Sequence, residues 1–151
     1  MEFSSMFLIA CTVLYLYCTG GSWMLQIVSY PTYHHVGERE FVPFHVDSGK
    51  RLIPIFVIPA VLVCLATVAL VFLRPSSTPL WASLVVTMCS LVILVTTIVL
   101  EVPKHNALDK NGKNTALIDG LVRDNLPRAI SWTLGSGLLV FMTVQALTVR
   151  V

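Results

Sequence analysis

Charge is what this sequence has least of. Asp, Glu, Lys and Arg make up 12% of its 151 residues, about half the share found in soluble globular domains. The net charge is only +2 and the basic residues are dispersed, so no nucleic-acid partner is expected. No Lys or Arg precedes the first apolar run, which opens with Glu2. A cleaved signal peptide needs a positive start and a shorter apolar core, so the run is read as retained. Cys11, Cys18, Cys64 and Cys89 lie inside apolar runs with no C-x-x-C spacing. They read as small apolar fillers rather than a disulfide framework. The sequence also has no H-E-x-x-H motif, no low-complexity stretch and no internal repeat.

What it has is apolar length. Hydrophobic residues reach 56% and the mean hydropathy is +0.81. Four runs, about 6–29, 52–73, 79–102 and 127–149, are each long enough to cross roughly 30 Å of hydrocarbon. In lipid every backbone polar group must be satisfied within the protein, which leaves helices as the element for such runs. The expected fold is all-α: one domain over 1–151, an integral membrane antiparallel four-helix bundle with a short amphipathic helix between spans 1 and 2. Gly20-Gly21-Ser22 and Gly135-x-Gly137 offer small-residue surfaces for close helix contact, either within the chain or with a second copy or other subunit.

With four spans, the chain ends and the 74–79 turn share one side, and segments 30–51 and 101–128 share the other. That second side carries eight of the ten basic residues: Arg39, Lys50, Arg51, Lys104, Lys110, Lys113, Arg123 and Arg128. Arg74 and Arg150 lie opposite. The positive-inside rule puts the richer face in the cytoplasm and the termini outside, in a bacterial inner membrane.

All four histidines fall on that same face. Read as one helix, segment 30–51 aligns His34, Glu38 and His45 at about 0°, 40° and 20° around the axis, with Pro43 expected to kink it before His45. His35 points away from the stripe. Glu101 and His105 are four apart at the end of the third span, so they share a face if the helix continues past Pro103. A carboxylate ending an apolar run is costly unless paired or functional, and Lys104 and Arg128 are its candidate partners. Imidazole and carboxylate together suit iron, copper or zinc, so His34, Glu38, His45, Glu101 and His105 form a candidate metal set. His45 with His105 is also a possible haem pair, a less favoured reading. His45, His105 and Arg128 are the candidate catalytic residues. Arg51, Asn125 and Trp132 are candidates for contacting substrate or supporting the site, with packing the plainer role for Trp132. Asp109 and Asn111 read as turn formers, Asp124 and Asn125 as helix caps before Pro127.

Several of these residues form a pattern. Glu40-Phe41-x-x-Phe44-His45, Arg51, Val102-Pro103-x-His105-x-x-Leu108 and Leu121-Val122-Arg123-x-Asn125-x-x-Arg128-x-x-x-Trp132 resemble a family of small bacterial four-span membrane proteins of mostly unassigned activity. That family is distantly similar to the membrane family containing fungal anthrone oxygenases. The resemblance singles out His45, His105, Asn125 and Arg128 as recurrent polar positions, and Glu101 stands where that family has glutamine. It implies oxidation of an apolar, aromatic or quinone-like molecule drawn from the bilayer. The expectation is therefore a membrane-embedded oxidoreductase, with a non-catalytic subunit of a larger membrane complex or a haem electron carrier as the alternatives. A transporter is a more distant reading, because no charge sits at mid-span and no inverted repeat is evident.

Overall fold

A computed structural model describes residues 2–148; Arg150 and the last residue of the fourth expected span lie outside them. Four helices long and apolar enough to cross a membrane account for nearly all of it: α1 Phe3–His35, α2 Glu38–Leu73, α3 Leu80–Asn111 and α4 Thr115–Thr148. Each packs on its neighbour in sequence, and α4 closes the ring against α1. The result is an all-α up-and-down bundle of an integral membrane protein. Large apolar side chains such as Ile27, Phe72, Ile98 and Leu134 stand exposed around the outside, as a lipid solvent allows.

The connections follow from local chemistry. Gly37 is extended and precedes the acidic first turn Glu38/Glu40 of α2, which suits the positive helix start. Pro75 and Pro79 bracket the 74–79 turn, where the Thr78 N–H donates to the Pro75 carbonyl at 3.0 Å. Gly112, at φ 83°, ends α3 in a conformation that side chains disfavour. Asn114 caps α4, its Oδ1 accepting the Leu117 N–H at 3.1 Å.

Three expectations about continuity change. The amphipathic segment is not separate: Glu38–Leu52 runs on into span 2 as part of α2, and Pro43 does not break it. The carbonyl that Pro43 deprives of a partner, that of Arg39, lies in the first turn. The cap expected at Asp124 and Asn125 is absent, since α4 started ten residues earlier at Asn114 and passes through Pro127. The turn expected around Asp109 begins only at Gly112, so Asp109 is helical.

Three of the helices share one irregularity. At Leu25–Ser29, Ile53–Val57 and Thr97–Glu101 the chain makes a wide π-helical turn. In each case the residue just before a proline donates its N–H five residues back: Tyr30 to Leu25 ahead of Pro31, Ile58 to Ile53 ahead of Pro59, and Val102 to Thr97 ahead of Pro103. A proline ring crowds the carbonyl four residues earlier and offers it no N–H. Widening the preceding turn by one residue relieves that crowding. The Ile55 carbonyl, four before Pro59, takes its bond instead from the Tyr17 hydroxyl of α1 at 2.5 Å.

The half of the bundle nearer the chain ends is close-packed. Thr12 bonds Thr143 at 2.9 Å, Thr19 bonds Ser136 at 2.7 Å, and Thr67 donates to Ser90 at 3.0 Å. The four cysteines are free and buried, as apolar fillers are. Of the small-residue surfaces, Gly21 and Gly135 make contacts within the chain: a Cβ there would come within 2.6 Å of the Phe56 and Tyr15 rings respectively. A Cβ at Gly20 or Gly137 would meet nothing within 4 Å among the described residues.

Candidate functional site

The three wide turns lie at one level of the bundle, and residues from all of them line one cavity of about 480 Å³. Leu25, Leu52, Ile53, Phe56 and Val57 give it an apolar wall; Tyr30, His45, Glu101, His105, Asp109 and Arg128 give it a polar one. The volume falls in the range of small-molecule pockets.

The polar wall contains two connected groups. The first is a chain of four hydrogen-bonding side chains. Asp109 Oδ1 lies 2.6 Å from His45 Nδ1, His45 Nε2 lies 3.0 Å from His105 Nδ1, and His105 Nε2 lies 3.4 Å from the Tyr30 hydroxyl. With Asp109 ionised and both imidazoles neutral, one proton order satisfies every contact. Tyr30 donates to His105 Nε2, His105 Nδ1–H donates to His45 Nε2, and His45 Nδ1–H donates to Asp109. The chain runs from Asp109, whose side chain is 39% exposed, to the buried Tyr30. Phe41 stacks on His45, with ring centroids 5.5 Å apart, and fixes its plane.

The second group is a buried ion pair. Arg128 Nη1 lies 3.5 Å from Glu101 Oε2, with side chains 6% and 2% exposed. Among the described residues neither Glu101 oxygen has a partner at hydrogen-bond geometry, nor does Arg128 Nε, although the Tyr30 hydroxyl interacts with both side chains. Buried polar atoms left unpaired are uncommon in folded proteins; Trp132 Nε1 and Gln145 Oε1 are others here, away from the cavity. Glu101 also approaches His105 Nε2 at 4.0 Å, which joins the two groups. Beside them Asn125 donates to Gln26 Oε1 at 2.8 Å and leaves its own Oδ1 unpartnered.

The expected site residues therefore divide. His45, His105, Glu101 and Arg128 come together, and α3 does continue past Pro103, keeping Glu101 and His105 on one face. Glu101 pairs with Arg128, whereas Lys104 goes to Asp124 at 2.6 Å. Asn125 stands one turn from Arg128 and braces α4 against α1. The rest lie elsewhere. The single-helix stripe is broken because the helix ends at His35 and restarts at Glu38. His34 instead bonds the exposed Asp119 at 3.0 Å, and Glu38 is exposed. Arg51 reaches back to Asp47 at 2.8 Å on the surface, a pair of little energetic weight. Trp132 is fully buried with its ring edge-on to Tyr15 at 4.4 Å and packs the core.

The five expected metal ligands thus do not form one set. Among the described residues no three His, Cys, Asp or Glu side chains are placed around a common ion. Two imidazole nitrogens face each other, but Glu101 lies against the opposite nitrogen of His105. A haem does not fit between rings whose nitrogens already touch at hydrogen-bond distance.

Two participants are less plain in the sequence. Asp109 sits in turn-like composition, although Glu101, His105 and Asp109 recur every four residues, the spacing of one helix face. Tyr30 ends an apolar run, where nothing local distinguishes it from an interfacial aromatic. Compared with protein-family models, with curated proteins and with solved structures, the chain shows no match.

Proposed function

We propose that this protein is a membrane-embedded acid–base enzyme. Its substrate is an apolar ring compound bearing a hydroxyl or an enolisable carbonyl, such as a phenol, a quinol or an anthrone-like ketone. The observation that carries the reading is the Asp109–His45–His105 chain ending in an apolar-walled cavity beside Arg128. The bound molecule passes its proton to the Tyr30 hydroxyl oxygen as Tyr30 gives its own proton to His105 Nε2. The His105 Nδ1 proton shifts to His45 Nε2, and the imidazolium so formed rests against the Asp109 carboxylate. Arg128 stabilises the substrate oxyanion as it forms, in a setting where few waters compete. Glu101 balances the guanidinium in the free enzyme. In the oxidoreductase form of this reading, which the family resemblance favours, the anion then gives its electrons to dioxygen or a quinone.

The cavity mouth faces a bacterial cytoplasm in this reading, with the termini outside; the basic residues gathered on the mouth side support that orientation. The test uses anthrone and detergent-purified protein in deuterated buffer. Deuterium uptake at the anthrone methylene reports proton transfer, and conversion to anthraquinone reports oxidation. Wild type is expected to accelerate exchange, and His105→Ala to lose about 10²–10⁴-fold of that acceleration. Equal exchange in wild type and His105→Ala overturns the proposal. Elemental analysis of the same preparation separates proton transfer alone from a metal held by the His45/His105 pair.

A further inference from the structure

A second space adjoins the site. Between α1 and α2 a groove of about 370 Å³ is lined by Tyr17, Gly20, Met24 and Ile55 on its outer side. These are residues of the lipid-facing surface, with Met24 and Ile55 more than half exposed. Leu25, Leu52 and Phe56 line both this groove and the site cavity, so the two spaces adjoin across these side chains. Phe56 rests its ring on the bare backbone at Gly21, where a Cβ would stand 2.6 Å from it. Gly20, one position earlier, leaves its part of the groove open. The wall is mostly apolar, with Ser29 and Tyr17 as its polar side chains; the Tyr17 hydroxyl is used up in satisfying the Ile55 carbonyl ahead of Pro59.

We infer that the groove holds the aliphatic tail of the substrate, so that the enzyme acts on a membrane amphiphile: a small oxygen-bearing ring head in the His105–Arg128 cavity and a single hydrocarbon chain passing Phe56 and running between α1 and α2 into the bilayer. This rests on the acid–base reading of the cavity. Continuity argues for it, since Leu25, Leu52 and Phe56 belong to the walls of both spaces, so a chain crossing them stays against apolar side chains from the cavity to the groove. The chemistry argues the same way. The charged groups and imidazoles line the cavity and none of them lines the groove, whose contacts are predominantly apolar. A ring held at Arg128 therefore has its substituent directed toward the hydrocarbon it came from, and the tail need not leave lipid for the head to react.

The test compares two quinones with the same ring, menadione without a tail and phylloquinone with one. Binding is followed by quenching of intrinsic fluorescence in detergent-purified protein. Gly20→Leu fills the groove without touching the cavity, because the added atoms enter open space. Comparing each compound between wild type and variant cancels its partition into detergent. Gly20→Leu is expected to weaken phylloquinone about tenfold, the equivalent of roughly two lost methylene contacts, and to leave menadione unchanged. If Gly20→Leu does not fold, Met24→Trp narrows the same groove from one turn further along and carries the same expectation. Phylloquinone held as tightly by the variant as by wild type overturns the tail inference while menadione binding keeps the cavity reading. Equal weakening of both compounds also overturns it. An ordinary phospholipid chain in the groove predicts no selectivity between the two. Failure of both compounds to bind wild type overturns the cavity reading itself.

Discussion

The two halves of this bundle are built from the same four helices and obey different rules. Near the chain ends, hydroxyl pairs such as Thr12–Thr143 and Thr19–Ser136 join regular helices, and Gly135 lets α4 close on Tyr15. The side chains that join the helices there are neutral hydroxyls, and the charged Arg74 is spent on the carbonyls of Val71 and Thr78 at the turn. At the other end three helices widen, a carboxylate and a guanidinium are buried with unpartnered atoms, and a cavity opens. Interhelical hydrogen bonds of the first kind contribute about 0.6 kcal/mol each in a membrane, so the regular half gains stability by many small contacts. The irregular half carries arrangements that cost stability. Such local costs gather where a protein does its chemistry.

Substitutions can break that contrast from either side. The largest effect is expected at the ion pair. Arg128→Met leaves Glu101 buried without its cation and should lower stability by ~3–5 kcal/mol, measured as unfolding of the solubilised protein. Adding Glu101→Met should recover most of that loss, while binding of menadione stays impaired. An Arg128→Met protein as stable as wild type would mean the carboxylate has another partner. Next comes the regular half. Gly135→Ala drives a Cβ into the Tyr15 ring and should cost ~1–3 kcal/mol, with anthrone exchange per folded molecule unchanged. Gly137→Ala, where space is open, should cost far less; equal costs would show that Tyr15 is not the obstacle. Tyr17→Phe removes the hydroxyl that donates to the Ile55 carbonyl and should cost about 1 kcal/mol, read as faster hydrogen exchange in the 53–60 segment. The smallest effect is a change of proton order. Nitrogen-15 spectra of the neutral protein should show both His45 and His105 protonated at Nδ1. Asp109→Asn, which can donate as well as accept, should scramble that order; an unaltered His45 tautomer would show that Asp109 does not set it.

The bundle was legible because apolar length speaks for itself in a membrane protein, and short polar connections force neighbouring helices to run oppositely. Half of the site was legible for a related reason. Glu101 stands at the end of an apolar run, where a charge needs a partner, and the topology brings Arg128, His45 and His105 to the same end. What misled the reading was local. Asp109-Lys-Asn-Gly has the composition of a turn, yet the helix uses only its glycine to stop. Asn125 before Pro127 resembles a helix start, yet Asn114 had already supplied the cap. Val36-Gly37 is too slight a signal to reveal that His34 and Glu38 belong to different helices. The cavity itself was hidden, because a hydropathy profile treats every turn as having the same width.

Those widths have a further consequence. Each wide turn amounts to one residue more than an ordinary helix needs, so each works as a length counter. Deleting a single residue from Thr97–Glu101 would keep α3 equally apolar and equally able to cross the bilayer. It would nevertheless swing everything beyond by about 100°, carrying His105 and Asp109 away from His45 on the facing helix. For this chain the alignment of the site is thus set by counting: three extra residues, one on each of three helices, keep the cavity end in phase with the rest of the bundle.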